Sequence, residues 1–201
     1  MNIVLASSNQ GKIKELQHMF EGQNLSVIPQ GMLGIGSAEE TGQTFLENAL
    51  IKARYAAEFA SLPAIADDSG LEVDCLNGAP GVMSARFAGE NSTDNENNQY
   101  LIECMKNTPF EKRTARYHCT IVYLEHANQS NPVICQASWE GIIADACLGT
   151  DGFGYDPLFI VKGSGCRASE LRPAEKNRIS HRGQAMTKLM FALSARILRK
   201  E

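Results

Sequence analysis

In the run Ala64-Ile65-Ala66-Asp67-Asp68-Ser69-Gly70, a short apolar strand ends in two carboxylates, a hydroxyl and a glycine. Neighbouring side chains on a strand point to opposite faces, so Asp67 and Asp68 do not easily share one ion. One is expected to serve chemistry and the other the fold. Carboxylate oxygens suit Mg²⁺, which takes one or two protein carboxylates and leaves its remaining positions to water and substrate phosphates. The competing reading is a strand that stops at a polar turn, since Asp, Ser and Gly are common turn residues.

A second segment offers the complementary charge. The apolar run Ile3-Val4-Leu5-Ala6 leads into Ser7-Ser8-Asn9-Gln10-Gly11-Lys12, and Ile13, Leu16 and Phe20 come next at helical spacing. This is strand, small-residue loop, helix. Backbone N–H groups at a helix start, with its positive dipole end, attract phosphate, and Lys12 adds a formal charge beside them. The loop lacks GxxxxGK(S/T) and is not a P-loop by motif. Ser7, Ser8 and Asn9 also suit simple helix capping.

A third segment, Pro173 to Arg182, crowds Glu175, Lys176, Arg178, His181 and Arg182 before a C-terminal helix that carries Met186, Leu189, Met190 and Leu193. Lys176 and Arg182 suit phosphates and His181 suits a base or sugar. The alternative is a solvated charged face with Ser180 as an N-cap. In Gly152-Phe153-Gly154-Tyr155-Asp156-Pro157, the two aromatic rings serve equally as core or as a stacking surface for a purine.

Taken together these segments resemble the inosine triphosphate pyrophosphatase family, and the resemblance covers essentially the whole chain. The family pattern of a (T/S)xNxxK loop, Glu-Thr-Gly, ADDSGL with GAPG, FGYDP and EKNxxSHR stands here at Ser7–Lys12, Glu40–Gly42, Ala66–Leu71, Gly78–Gly81, Phe153–Pro157 and Glu175–Arg182. One departure is Ser8, where many relatives carry Gly, a residue that tolerates backbone angles Ser does not.

The resemblance implies a Mg²⁺-dependent enzyme that cleaves a purine nucleoside triphosphate such as ITP, dITP or XTP to the monophosphate and pyrophosphate. It implies that Glu40 and Asp68 hold the metal and that Asp68, or a water it orients, is the base. Substrate contacts are expected from Ser7, Ser8, Asn9, Gln10, Gly11, Lys12, Ser69, Phe153, Gly154, Tyr155, Asp156, Lys176, His181 and Arg182. Asp67 is expected to secure the neighbouring loop, and the chain is expected to form a homodimer. A donor such as His181 or Arg182 can bond a C6 carbonyl, whereas the amino group of adenine would present donor to donor. Two other functions fit the residues: a pyrophosphatase for modified pyrimidine nucleotides, and a nucleotide-sensing or RNA-binding module without catalysis.

The elements that must position these groups read as one α/β domain over 1–201, a mixed (α+β) chain. Its central, elongated, twisted mixed sheet is flanked by helices, in two lobes with a substrate cleft between them. Thr44 and Glu47 form a capping box that opens a helix ending before Pro63, with Phe45, Ala49, Ala53, Ala56 and Ala60 on one face. Thr93 and Glu96 open another through about Met105. Arg113–Leu124 and Val133–Glu140 read as a long antiparallel pair joined by a turn at Asn128–Pro132. Gly78–Gly81 reads as a turn, Arg86 is a weak candidate for the metal-phosphate cluster, and Trp139 belongs to the fold.

The net charge of −4 argues against duplex nucleic acid as a partner. No run approaches the ~18 apolar residues of a membrane span, and the start lacks a basic signal-peptide region, so a cytoplasmic protein is expected. The six cysteines contain no CxxC pair and read as reduced, core-packing thiols. Zinc ligation with His118 or His126 has little support, because structural zinc needs close-spaced ligand pairs.

Overall fold

The computed structural model describes residues 2–22, 25–149 and 152–197. Strand β1 (Asn2–Leu5) is apolar after its first residue and pairs in parallel with both β2 (Ser26–Pro29) and β3 (Ala64–Val73). A strand covered on both faces reads as a continuous apolar run rather than an alternating one, and Ile3, Val4 and Leu5 are all fully buried. The sheet continues through β4 (Thr114–Leu124), β5 (Val133–Ile143) and β6 (Phe159–Val161) in the order β2-β1-β3-β4-β5-β6.

The pairing of β4 with β5 is antiparallel. Gln136 donates to Thr120 Oγ1 at 3.1 Å, and Arg116 donates to Glu140 at 3.1 Å. As the residue number rises on one strand it falls on its neighbour, which only antiparallel strands do. The last pair, β5 with β6, is antiparallel as well. The sheet is therefore mixed, and helices α1 (Gln10–Phe20), α2 (Phe45–Ala60), α3 (Asp94–Cys104), α4 (Pro173–Ile179) and α5 (His181–Ile197) complete the α/β fold.

Two sequence expectations about strands need correction. β3 does not end at the acidic pair but runs ten residues through it, to Val73. It lies between β1 and β4, so its backbone groups stay in ladders, and Leu71 and Val73 are again fully buried. The carboxylates sit in mid-strand, not on a turn. β5 likewise runs three residues past Glu140, because Gly141, Ile142 and Ile143 pair with Val161, Ile160 and Phe159. Gly141 permits this approach: a Cβ there would lie 2.5 Å from the Ile160 carbonyl oxygen and 2.5 Å from Phe159 Cζ.

Both capping boxes form, Thr44 with Glu47 and Thr93 with Glu96, each satisfying two orphan N–H groups of its helix. The charged segment before the C-terminus is itself helical. It forms α4, which opens on Pro173 and stops where Ser180 turns to extended backbone before α5.

The chain divides into two compact units. The first holds residues up to Asp68, Cys119–Ala137 and those from Arg182 onward; the second holds Ser69–His118 and Ser138–His181. In the first, alternation along β1 sends Ile3 and Leu5 to a cluster with Leu16, Ile121 and Leu189, and Val4 to another with Ala49, Ala53 and Val122. The second unit is built on Leu71, Leu101, Tyr117, Trp139, Tyr155 and Phe159.

All six cysteines are free thiols, but only Cys119 and Cys135, both in the first unit, are buried. Cys75, Cys104, Cys147 and Cys166 are exposed, which corrects the expectation of core thiols: they fall on a single-turn 3-10 helix, a helix end and loops, where apolar neighbours in sequence do not ensure burial. Among the described residues no three or more His, Cys, Asp or Glu side chains gather as a metal site, and His118 pairs with Glu72 at 3.0 Å.

Gly141→Ala must push β5 away from β6 or displace the Phe159 ring. The expected result is a loss of about 1–3 kcal/mol, read as a lower urea midpoint with an unchanged m-value.

Candidate active site

From the middle of β3, the two adjacent carboxylates meet entirely different partners. Asp67 is buried, with the Lys12 ammonium 3.1 Å from its Oδ2 and Arg182 Nε donating to the same oxygen at 3.3 Å. Arg182, itself almost fully buried, also pairs with Glu15 of α1. Burial alone would raise the Asp67 carboxyl, but the neighbouring Lys12 and Arg182 charges overcome it and hold the group well below the usual carboxylate range. Burial likewise works against the Arg182 charge, and Asp67 with Glu15 more than restores it.

Asp68 faces α2. Its Oδ1 accepts from Lys52 Nζ at 2.7 Å, and Asn48 Nδ2 stands 3.5 Å from its Oδ2. The same Lys52 ammonium lies 3.1 Å from Glu40 Oε1. Burial pushes the Asp68 carboxyl upward, and the opposing pull of Lys52 and Lys12 does not cancel it. Lys52 would lose basicity on burial, yet Asp68, Asp67 and Glu40 raise it above its ordinary value. Neighbouring residues in one strand thus have carboxyls displaced in opposite directions, a pattern that separates a structural acid from a reactive one.

Glu40 owes its position to a glycine two residues further along the chain. The Gly42 N–H donates to Asn48 Oδ1 at 2.8 Å, and a Cβ on Gly42 would lie 2.6 Å from both that oxygen and Glu47 Cβ. Only glycine lets this segment lie against the first turn of α2. Two carboxylates from separate elements therefore reach one positive nitrogen, and a shared hard-oxygen pair of this kind fits Mg²⁺, which needs few protein ligands.

The loop before α1 is tightly organised. Asn9 Oδ1 accepts the Lys12 N–H at 3.0 Å and so caps the helix, and Ser7 Oγ accepts the Asn9 N–H at 3.3 Å. Ser8, Asn9 and Gln10 are exposed, while Gly11 and Lys12 are half-buried. A concavity of about 460 Å³ begins at Ser7, Ser8 and Gln10 and extends along Gln30, Met32 and Ser37.

In the second unit Asp156 is the organising acid. It is buried and accepts from Lys176 Nζ at 2.6 Å, from the Phe153 N–H at 3.0 Å and from the Tyr117 hydroxyl at 3.4 Å. The Lys176 ammonium also stands 4.8 Å from the centroid of the half-buried Phe153 ring, a cation–π geometry. Gly152, at φ 83°, has the Asp156 carboxylate 2.4 Å from where a Cβ would be. Tyr155 is buried and its hydroxyl donates to the Ser84 carbonyl at 2.8 Å, so this ring packs in the core and Phe153 is the aromatic that meets Lys176. His181 is buried and stacks on Tyr117 at 4.7 Å and 8°. Burial, and then Asp156, raise the Tyr117 phenol well above its ordinary value, which keeps it a donor. Ser69 comes directly after Asp68 in β3 and is half-buried.

In the first unit the structure thus brings Lys12, Asp67 and Arg182 together, and Glu40 with Asp68. In the second it gathers Phe153, Asp156, Lys176 and, through Tyr117, His181. Arg182 and Lys176, expected at phosphates, have carboxylate partners in Asp67 and Glu15 and in Asp156. Sequence reasoning missed Lys52, Asn48 and Glu15. Asn48 and Lys52 lie four residues apart beside the alanine stripe of α2, where a polar side chain needs a partner.

The model of the Ham1 family matches residues 3–192. The chain belongs to the Ham1 family. It is 53% identical to the dITP/XTP pyrophosphatase of Escherichia coli (strain K12), over 95% of this chain and 97% of that protein. Among solved structures, a HAM1 protein from Coxiella burnetii matches with a TM-score of 0.90 at 47% identity, covering 97% of this chain and 99% of that one. The Staphylococcus aureus Ham1 protein matches with a TM-score of 0.85 at 38% identity, covering 98% and 100%.

In this Ham1-family chain, Asp67→Asn leaves Lys12 and Arg182 facing a neutral amide. The expected cost is about 3 kcal/mol near neutral pH, measured by urea unfolding. The folded-state pKa of Asp67 is depressed, so its contribution is complete above the unfolded value of about 4 and fades as pH falls through the lower folded value. The gap between wild type and variant should therefore narrow in acid.

Proposed function

We propose that this Ham1-family protein is a nucleoside-triphosphate pyrophosphatase that hydrolyses ITP, dITP and XTP to the monophosphate and pyrophosphate. The observation that carries the reading is the convergence of Glu40 and Asp68 on one cationic point, 3.1 and 2.7 Å from the Lys52 nitrogen. The name borne by the Escherichia coli relative supports the same substrate class.

Phosphoryl transfer asks for charge neutralisation and an in-line nucleophile more than for covalent help. Glu40 and Asp68 would hold Mg²⁺, which when bound supplies Lewis-acid neutralisation of the phosphates. Lys12, Lys52 and the backbone N–H groups at the start of α1 add positive charge from the protein. Asp68, whose carboxyl is displaced upward, takes the proton from the attacking water. Asp67 stays ionised and fixes Lys12 and Arg182.

The second unit offers what a 6-keto purine needs. Phe153 presents an aromatic surface, and the Lys176 ammonium beside it donates to a C6 carbonyl where adenine would bring a competing donor. No described helix is long and apolar enough to cross a membrane. The family resemblance supports a homodimer.

With Mg²⁺, the protein should release pyrophosphate from ITP, dITP and XTP and turn over ATP far more slowly, and EDTA should stop the reaction. Release of orthophosphate alone, or turnover indifferent to EDTA, rejects the proposal. Asp68→Asn should lower kcat by about 10²-fold or more without lowering the unfolding midpoint, since the amide keeps the shape while losing the base.

A further inference from the structure

The turn that carries Phe153 and Asp156 is held from outside by α3. Asp94, in the first turn of that helix, accepts the Gly154 N–H on Oδ2 at 2.7 Å. Asn98, four residues on and buried, donates Nδ2 to the Gly154 carbonyl at 2.9 Å. Residues four apart share a helix face, so one face of α3 grips both polar groups of a single residue. A lone hydrogen bond would let the turn pivot, whereas two at one residue fix its orientation. Gly154, at φ 63°, adopts the left-handed backbone this requires.

Donating to Gly154 fixes the Asn98 amide so that its Oδ1 lies buried with no hydrogen-bond partner among the described residues. The neighbouring Asn97 does comparable work on another loop, accepting from the Ala88 N–H and the Ser92 hydroxyl at 2.8 Å each and donating to the Ala85 carbonyl at 3.1 Å. The amino half of α3 is thus a fastening surface for loops of the second unit.

We infer that Asp94 and Asn98 are positioning residues for base recognition: by clamping the Gly154 peptide they hold the Phe153 ring and the Asp156–Lys176 pair in the geometry that selects a 6-keto purine. The inference rests on the function proposed above. It assigns the clamp to base binding rather than to the chemical step, because both side chains bond the Gly154 peptide of the turn that carries Phe153 and Asp156.

The test compares wild type with Asp94→Ala, Asp94→Asn and Asn98→Asp by steady-state kinetics on ITP and ATP and by amide hydrogen exchange at Gly154. Asp94→Ala and Asn98→Asp should raise KM for ITP about tenfold, the worth of one buried or charge-assisted hydrogen bond, with kcat within about twofold. Both should narrow the preference for ITP over ATP and speed exchange at Gly154. Asp94→Asn, which keeps an acceptor, should restore KM and exchange towards wild type. Unchanged exchange and KM overturn the clamp, as does a parallel fall in kcat and global stability with base preference intact. A wild-type protein inactive on ITP overturns the proposed function instead, and the exchange readout separates the two failures.

Discussion

The buried ion cluster around Asp67 is the constraint on which the first unit depends. One carboxylate, out of water, is matched by Lys12 at the start of α1 and by Arg182 at the start of α5, with Glu15 completing the balance. Removing charges from water is expensive, and the expense is offset only when every member has its partner in good geometry. The cluster therefore ties two elements distant in sequence, α1 and α5, to one point on β3. Because strand side chains alternate, fixing Asp67 inward on one face also fixes Asp68 on the other.

The electrical asymmetry of the site results from that arrangement. Asp67 is surrounded by cations and stays ionised, whereas Asp68 has burial on one side and a shared lysine on the other. Lys52 is what keeps Glu40 and Asp68 close without mutual repulsion, and Gly42 is what lets Glu40 approach. In the second unit a similar economy holds, with Asp156 accepting from a lysine, a backbone amide and a phenol at once. Each unit is thus built around one buried acid whose donors come from several elements.

Much of this was legible in the sequence where the determinants are local. The opposite facing of Asp67 and Asp68 comes from strand period, and both capping boxes come from four-residue patterns. The mixed α/β class came from the order of strand-like and helix-like segments. The failures were non-local. Asp-Asp-Ser-Gly looks like a turn until β1 and β4 are known to flank it, and the end of β5 is set by β6, whose three residues carry little signal of their own. Lys52 escaped notice because its partners lie 12 and 16 residues away on different elements, a distance at which sequence spacing says nothing about proximity. Arg182 and Lys176 were legible as charged groups but not as members of buried pairs, since a cation's partner is chosen by tertiary packing.

The distribution of thiols has a practical side. Cys119 is sealed beside the Asp67 cluster, and burial lifts its thiol to about 12, so it offers almost no thiolate to an alkylating reagent at physiological pH. Cys135 is also buried in the first unit, while the four exposed cysteines all lie in the second. A maleimide dye or spin label added to the native protein would therefore decorate one half of the molecule and leave the other silent, giving spectroscopists a built-in asymmetric handle without any engineered residue.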